Sequence, residues 1–409
     1  MKRKKLTASM IALVMSVSLP MTTYAANWYL EDGSVTVNAD NSGQTVTQGS
    51  GSAVPDEAPV ITQRGSSAET SNTITINAAE NATANVTISN VNIGTSSAAI
   101  ATSGKGNVNI ELDGTNTLKS GREHAGLEKS GDGKLTITDE NGNGKLIATG
   151  GQYGAGIGGG FYEGGKNITI AGGKVTANGG DYGAGIGGGQ EGDGSNITIT
   201  GGEVTAAGGD YGAGIGGGSY EGGKNITIAG GKVTANGGDY GAGIGGGQEG
   251  DGSNITITGG EVTAAGGDYG AGIGGGSYEG GKNITIAGGK VTANGGDYGA
   301  GIGGGQEGDG SNITITGGEV TAAGGTNGAG IGGGGGISGK GEKISISGDA
   351  ALKVQGGPTD GWDGAGAGIG NGGSHNGDFL SGTIPVNGAE TEPDTSNLTT
   401  GKIEYYAPG

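Results

Sequence analysis

A regular alternation of apolar and polar positions recurs along the middle of the chain. In the stretch from Gly179 to Ala207 it occurs in three short segments that are separated by glycine-rich turns: Gly183 to Ile186, Asn196 to Thr200 and Glu203 to Ala206. Because successive side chains of a strand point to opposite faces, each segment predicts a short β-strand with one apolar face. The side chains expected to face inward are Ala184, Ile186, Ile197, Ile199, Val204 and Ala206. Those expected to face outward are Asn196, Thr198, Thr200, Glu203 and Thr205.

This pattern repeats every 29 residues in two alternating versions, GGDYGAGIGGGQEGDGSNITITGGEVTAA and GGDYGAGIGGGSYEGGKNITIAGGKVTAN, and residues 179–236 recur unchanged as 237–294. A fixed period of this size is typical of solenoids and propellers. A propeller needs about four strands and 40 residues per blade, and glycine and β-branched residues disfavour helix. Three strands per repeat around an apolar interior therefore predict an all-β parallel β-helix of about ten coils, stacked about 4.8 Å apart.

The quality of the repeat divides the chain into six segments. We expect a signal peptide at 1–25, an N-terminal cap at 26–66, degenerate coils at 67–149, regular 29-residue repeats at 150–323, degenerate C-terminal coils at 324–373, and a polar tail or cap at 374–409. The open end of a solenoid needs a polar cover, which the N-terminal segment is expected to provide. The flush, nearly identical coils also expose strand edges at both ends, so end-to-end self-association is expected.

The first 25 residues have the features of a secretory signal. Lys2 to Lys5 form a basic start, a short apolar run follows, and Ala25 ends a small-residue cleavage site. The apolar run is short for a membrane anchor. We therefore expect cleavage after Ala25, a secreted or cell-surface-associated product, and no membrane insertion after cleavage.

Composition narrows the classes of function. Of 409 residues 107 are glycine, and the absence of a Gly-X-Y period argues against collagen. The net charge of −19 disfavours nucleic acid as a partner and favours divalent cations. With no cysteine and two histidines, thiolate chemistry and a multi-histidine metal site are excluded.

Stacking of the repeats predicts ladders of like residues. The charged ladder alternates in sign and comprises Lys174, Glu203, Lys232, Glu261, Lys290 and Glu319. The amide ladder comprises Asn167, Asn196, Asn225, Asn254, Asn283 and Asn312, and the aromatic ladder Tyr153, Tyr182, Tyr211, Tyr240, Tyr269 and Tyr298. Opposite charges, amides and stacked rings at such positions stabilise the pairing of neighbouring strands.

Two rows are candidate binding sites. Asp181, Asp210, Asp239, Asp268 and Asp297 form an acidic row, which is either a calcium ladder or a solvated edge. Exposed aromatics beside carboxylates suit sugar binding, and three such pairs recur in alternate coils, about 9.6 Å apart. The pairs are Tyr162 with Glu163, Tyr220 with Glu221, and Tyr278 with Glu279. The alternative is that these tyrosines only fill the turn.

Catalysis has little support in the sequence. An active site is generally a single constellation, whereas every carboxylate of the regular region is multiplied by the repeat, which favours avidity. Arg122 and His124 are the one unusual basic pair, and they lie in a degenerate coil. We therefore predict a protein that is not an enzyme.

The run NVNIELDGTNTLKSG…AGLEKSGDGKLTITDENGNGKLIATGGQYGAGIGGG from Asn107 to Gly160 resembles secreted, clostridial-type carbohydrate-binding β-helix proteins of Gram-positive bacteria. The resemblance extends over about residues 70–373. It implies a right-handed parallel β-helix that adheres to polysaccharides such as cellulose or pectin, with bound calcium. Two functional hypotheses follow: an exported, non-catalytic module that binds a polysaccharide or cell-surface glycan, and a structural or adhesive surface rod without a specific ligand.

Overall fold

Three parallel sheets run the length of a β-helix in the computed structural model, which describes residues 26–65, 68–337, 339–376 and 384–406. Each regular coil contributes one strand to each sheet. We name the sheets after their strands in one coil: the Ile-Gly sheet after Ile186–Gly187, the NIT sheet after Gly194–Ile199, and the VTA sheet after Glu203–Ala207. The predicted signal peptide lies outside the described residues.

The Ile-Gly sheet has 14 strands. In chain order they are Val35–Asp40, Gly43–Gln48, Val54–Pro55, Ile74–Ala78, Ile100–Gly104, Leu127–Lys129, Ile157–Gly158, Ile186–Gly187, Ile215–Gly216, Ile244–Gly245, Ile273–Gly274, Ile302–Gly303, Ile331–Gly332 and Ile369–Gly370.

The NIT sheet has 12 strands. They are Asn27–Tyr29, Val60–Thr62, Thr83–Ser89, Asn107–Asp113, Leu135–Thr138, Gly165–Ile170, Gly194–Ile199, Gly223–Ile228, Gly252–Ile257, Gly281–Ile286, Gly310–Ile315 and Gly341–Ile346.

The VTA sheet has 11 strands. They are Asn92–Gly94, Thr115–Lys119, Lys145–Thr149, Lys174–Asn178, Glu203–Ala207, Lys232–Asn236, Glu261–Ala265, Lys290–Asn294, Glu319–Ala323, Ala351–Gln355 and Lys402–Tyr406. A separate antiparallel pair joins Ser374–Asn376 to Ile384–Val386, and a 3-10 turn covers Leu30–Asp32. Among the described residues, no helix is long and apolar enough to cross a membrane.

The pairing register follows the 29-residue period. Ile197 pairs with Ile168 in the coil before and with Ile226 in the coil after, and Val204 pairs with Val175 and Val233 in the same way. The six side chains predicted to face inward are 0–1% exposed. The predicted parallel β-helix with three strands per coil is therefore confirmed.

The first strand of each coil is shorter than the sequence pattern suggested. It covers Ile186–Gly187 only, whereas the prediction began at Gly183. Gly187 has φ 138°, and a Cβ at this position would lie 1.9 Å from the carbonyl oxygen of Gly216 in the next coil. Only glycine allows the backbones of neighbouring coils to approach this closely, which explains one invariant glycine of the repeat.

Both ends of the described core are covered. At the N-terminal end, strands Val35–Asp40, Gly43–Gln48 and Val54–Pro55 pair antiparallel. The side chain of Gln44 is buried and accepts a hydrogen bond from the Asn85 amide at 2.8 Å, as the backbone carbonyl of a neighbouring strand would. At the C-terminal end, the Glu390 carboxylate accepts hydrogen bonds from the amides of Gly368 and Ile369. Such covers protect sheet edges from pairing with other chains.

Candidate ligand-binding rows

One turn of every regular coil carries a large side chain on a left-handed backbone. This turn joins the Ile-Gly strand to the NIT strand. Its successive residues, which we call the turn row, are Tyr162, Glu191, Tyr220, Glu249, Tyr278 and Glu307, with φ between 52° and 68°. The tyrosines are 61%, 48% and 54% exposed in chain order. The aromatic positions predicted as ligand contacts therefore lie at the surface, and a glutamate stands between each pair of them.

The left-handed conformation is costly for these residue types. A residue with a Cβ loses roughly 1–2 kcal/mol there relative to the right-handed region, and glycine loses nothing. In a chain with 107 glycines, the equivalent position of the next coil is in fact occupied by Gly336. Strained residues of this kind are found preferentially at binding sites. The strained backbone therefore makes the turn row a candidate ligand surface, with a space-filling turn as the alternative.

A carboxyl pair lies beside the second tyrosine. Glu221, the residue after Tyr220, is partly buried, and both this burial and a hydrogen bond with the Asp193 carboxyl raise the pKa of Glu221. The Lys224 ammonium in turn lies 3.0 Å from Asp193 Oδ1. The arrangement recurs in the next two-coil unit. There, burial and Asp251 raise the pKa of Glu279, and Lys282 lies 3.0 Å from Asp251.

The first copy of this site differs. Glu163 faces Glu128 and His124 instead of an aspartate, and burial followed by the Glu128 charge raises the pKa of Glu163. The Nδ1 atom of His124 lies 2.9 Å from Glu128 Oε2, and Phe161 packs on Tyr162 with ring centroids 3.8 Å apart. The three predicted tyrosine–glutamate pairs are thus in equivalent places, but only the second and third have the same surroundings.

The acidic row lies on a different edge of the coil. The side chains of Asp181, Asp210, Asp239, Asp268 and Asp297 are all exposed. The backbone carbonyls of the first four are already acceptors; the carbonyl of Asp181, for example, accepts from the Tyr211 amide at 3.0 Å. Within the described ranges, no group of three or more His, Cys, Asp or Glu side chains is placed to hold a metal ion. Two neighbouring carboxylates supply about four oxygens of the six to eight that calcium takes. The row therefore fits a loosely held surface ion better than a closed calcium site.

The aromatic ladder stacks as predicted except at its first step, where the Tyr153 ring is tilted by 38° to that of Tyr182. From Tyr182 to Tyr298, neighbouring rings stack with centroids 4.9–5.8 Å apart and planes within 15° of parallel. Arg122 closes the N-terminal end of the ladder, lying 4.8 Å from the ring centroid of Tyr153 and donating to its hydroxyl at 2.6 Å. The unusual basic pair is thus divided between two partners: Arg122 contacts Tyr153, and His124 contacts Glu128.

The amide ladder is also confirmed. Each asparagine from Asn196 to Asn312 donates from Nδ2 to the Oδ1 of the asparagine one coil earlier, at 3.0–3.1 Å. The charged ladder is confirmed in its register, and its opposite charges come within 4.0 Å at two steps, Lys174 to Glu203 and Lys290 to Glu261. Lys174 pairs in register with Glu203, and their charged groups are 2.9 Å apart.

Sequence reasoning missed two features of the turn row. The first is the left-handed backbone, whose signal was the presence of Tyr or Glu at a position where a later coil has glycine. The second is the ion pair between Lys224 and Asp193, which are 31 residues apart. A search for ladders at the 29-residue period does not find this pair.

The comparisons with known proteins agree with the architecture. The model of a family described as "Beta helix repeat" matches residues 141–161, 168–190, 197–219, 226–248, 255–277, 284–306 and 313–335. No curated protein and no solved structure matches the chain. The matched segments recur at the 29-residue period of the coils described above. The three parallel sheets and this repeated match together show that the chain folds as a parallel β-helix built from repeated coils.

Proposed function

We propose that the protein is an exported, non-catalytic β-helix that binds a polysaccharide or cell-surface glycan through its turn row. The observation that carries this proposal is the exposure of Tyr162, Tyr220 and Tyr278 on a left-handed backbone, at equivalent places in alternate coils. An exposed aromatic face packs on a sugar ring, and neighbouring carboxylates accept hydrogen bonds from its hydroxyl groups.

The geometry of the row supports a repeating ligand. Successive tyrosines are two coils apart, about 9.6 Å, because parallel strands are spaced about 4.8 Å. This distance is comparable to the length of a disaccharide. A linear glycan along the row would meet equivalent contacts in each two-coil unit, so weak single contacts would add through avidity.

The test is a pull-down of the mature protein on insoluble polysaccharides. The triple variant Tyr162→Ala, Tyr220→Ala, Tyr278→Ala is expected to lose retention. A matched control is the triple variant Thr205→Ala, Thr234→Ala, Thr263→Ala, which changes three outward residues of the VTA sheet and is expected to retain binding. Equal retention of both variants would refute the turn row as the binding surface.

The second candidate function is a structural or adhesive rod whose length varies by duplication. It is favoured by the exact recurrence of residues 179–236 as 237–294 and by the continuous ladders. The two functions differ in one measurable respect. Glycan binding increases with the number of two-coil units only if the units are binding sites, whereas a spacer binds no glycan at any length.

A further inference from the structure

The surroundings of the exposed tyrosines are rich in carboxylates. A hollow of about 280 Å³ is lined by Glu191, Asp193 and Glu221, the residue after Tyr220, together with Lys166. The Lys166 ammonium lies 2.9 Å from Asp132, outside this group of carboxylates. Lys224 lies 3.0 Å from Asp193. The three carboxylates around the hollow thus outnumber the one lysine that contacts them.

The following unit repeats this charge arrangement. Its counterparts are Glu249, Asp251 and Glu279, with Lys282 beside Asp251 at 3.0 Å. Tyr278 stands next to Glu279, 54% exposed. The excess of negative charge therefore recurs next to the second and third tyrosines of the turn row.

We infer that the glycan bound by the turn row carries free amino groups, as in a partly or fully de-N-acetylated hexosamine polymer. This inference rests on the proposed function. An ammonium group on the sugar forms charge-assisted hydrogen bonds with carboxylates such as Glu191 and Glu221, while the tyrosine packs on the ring. A neutral sugar forms only the weaker hydrogen bonds, and a uronate brings a like charge to the same place.

An acidic polymer such as polygalacturonate is a poor ligand under this inference. Polygalacturonate would need a bridging cation between its carboxylates and those of the turn row. Without such a cation, the uronate carboxylates would face Glu191, Asp193 and Glu221 as like charges, which repel. We therefore expect polygalacturonate to bind more weakly than an amino polymer.

The experiment compares three polymers that share one β-linked backbone and differ at carbon 2: chitosan with an amine, chitin with an acetamide and cellulose with a hydroxyl. The chitosan is cross-linked into beads, so that all three polymers stay insoluble when the amine is protonated. Binding isotherms of the mature protein are measured at about pH 6, where an amine is protonated and an ordinary carboxyl is ionised. Polygalacturonate is the acidic arm, with calcium or chelator. The expected result is affinity for chitosan about tenfold or more above that for cellulose, falling steeply between about 20 mM and 0.5 M salt.

A matched pair of variants separates the turn row from the general acidity of the chain. The row variant is Glu191→Gln, Glu249→Gln, Glu307→Gln. The control variant is Glu203→Gln, Glu261→Gln, Glu319→Gln, which removes the same number of charges from the same coils on the VTA sheet. The row variant is expected to lose most of the preference for chitosan, and the control variant is expected to retain it.

The possible outcomes test the preference for an amino polymer separately from the proposed glycan-binding function. Equal affinity for cellulose and chitosan, or calcium-dependent binding of polygalacturonate alone, overturns the inference and leaves a glycan-binding turn row. Equal loss in the row and control variants also overturns it, because the rod would then act as a diffuse polyanion. Binding to none of the four polymers counts against the proposed function itself.

Discussion

The side-chain amide of Asn225 donates a hydrogen bond of 3.1 Å to the side-chain oxygen of Asn196, its counterpart one coil earlier. Asn225 is also in the left-handed region, with φ 55°, and its own oxygen accepts from Asn254. Asparagine tolerates this backbone better than most residues and can extend an amide ladder at the same time. Asparagine thus meets two requirements, whereas glycine meets only the backbone requirement and alanine meets neither.

Substitution of Asn225 therefore separates the two contributions. Asn225→Gly keeps an unstrained backbone and loses the ladder, so we expect a cost of about 1 kcal/mol. Asn225→Ala loses the ladder and adds strain, so we expect about 2–3 kcal/mol. Chemical denaturation measures both. Equal stability of the two variants would show that the left-handed backbone adds nothing to the cost.

Deletion of coils should depend on parity. Removing residues 179–236 takes out a whole two-coil unit and keeps opposite charges adjacent in the ladder. Removing residues 208–236 places Glu203 beside Glu261 and takes Lys224 away from Asp193. We expect the shorter deletion to be the more destabilising of the two, because like charges directly opposite each other disfavour pairing. Thermal melting at low and high salt checks this, and salt should reduce the difference. A one-coil deletion that melts no lower than the two-coil deletion would contradict it.

A tyrosine of the turn row is expected to make the fold less stable than a glycine at the same position would. A tyrosine of the aromatic ladder is expected to make it more stable. Tyr220→Gly relieves a left-handed residue at φ 68° and removes an exposed ring, so stability is expected to stay equal or rise by up to about 1 kcal/mol. Tyr240→Gly removes a ring that stacks on both neighbours and is expected to lower the melting temperature. A clear loss of stability in Tyr220→Gly would favour a structural role for the turn row.

Lys129 predicts a dependence on pH. Its side chain is buried, and its ammonium donates to the Gly131 carbonyl at 2.8 Å. Burial, followed by the charge of Lys166, lowers the pKa of Lys129 from 10.5 to about 8. Between these values the unfolded chain binds a proton that the folded chain lacks, so this residue makes stability rise as pH rises from about 8 to 10.5.

The substitution Lys129→Met should remove this dependence. We expect a gain of about 1–2 kcal/mol at pH 7, after allowing for solvent screening of the ammonium, and a flatter stability profile above pH 8. Denaturant unfolding of both proteins from pH 7 to about 10.5 provides the comparison. A parallel pair of profiles would show that Lys129 titrates normally.

Calcium is expected to bind at the acidic row. Replacing Asp181, Asp210, Asp239, Asp268 and Asp297 with asparagine removes the like-charge repulsion, so the variant should melt higher than the parent in chelator. It should also lose any rise in melting temperature that calcium gives the parent. Magnesium is the control ion, because a loosely bound surface cation should distinguish little between the two. An unchanged calcium response in the variant would place the ion elsewhere.

The sequence by itself determined the parts of this protein that follow from its period. In a solenoid of equal coils, each residue of a strand meets the residue one period away. The inward isoleucines, the tyrosine stack and the alternation of Lys174 with Glu203 could therefore be predicted without coordinates. The alternating pattern also indicated which face is apolar, since strand side chains alternate.

The tertiary structure alone decided what depends on the path of the turns. The left-handed backbone at Tyr220 arises from the tight connection between two strands, and the period contains no such information. Lys224 reaches Asp193 across 31 residues, because its long side chain extends back over the turn of the preceding coil. Lys129 is buried because its strand directs it inward, although its residue type predicts the surface. Each of these features sets the charge or exposure of a site, and each depends on contacts between residues that are not one period apart.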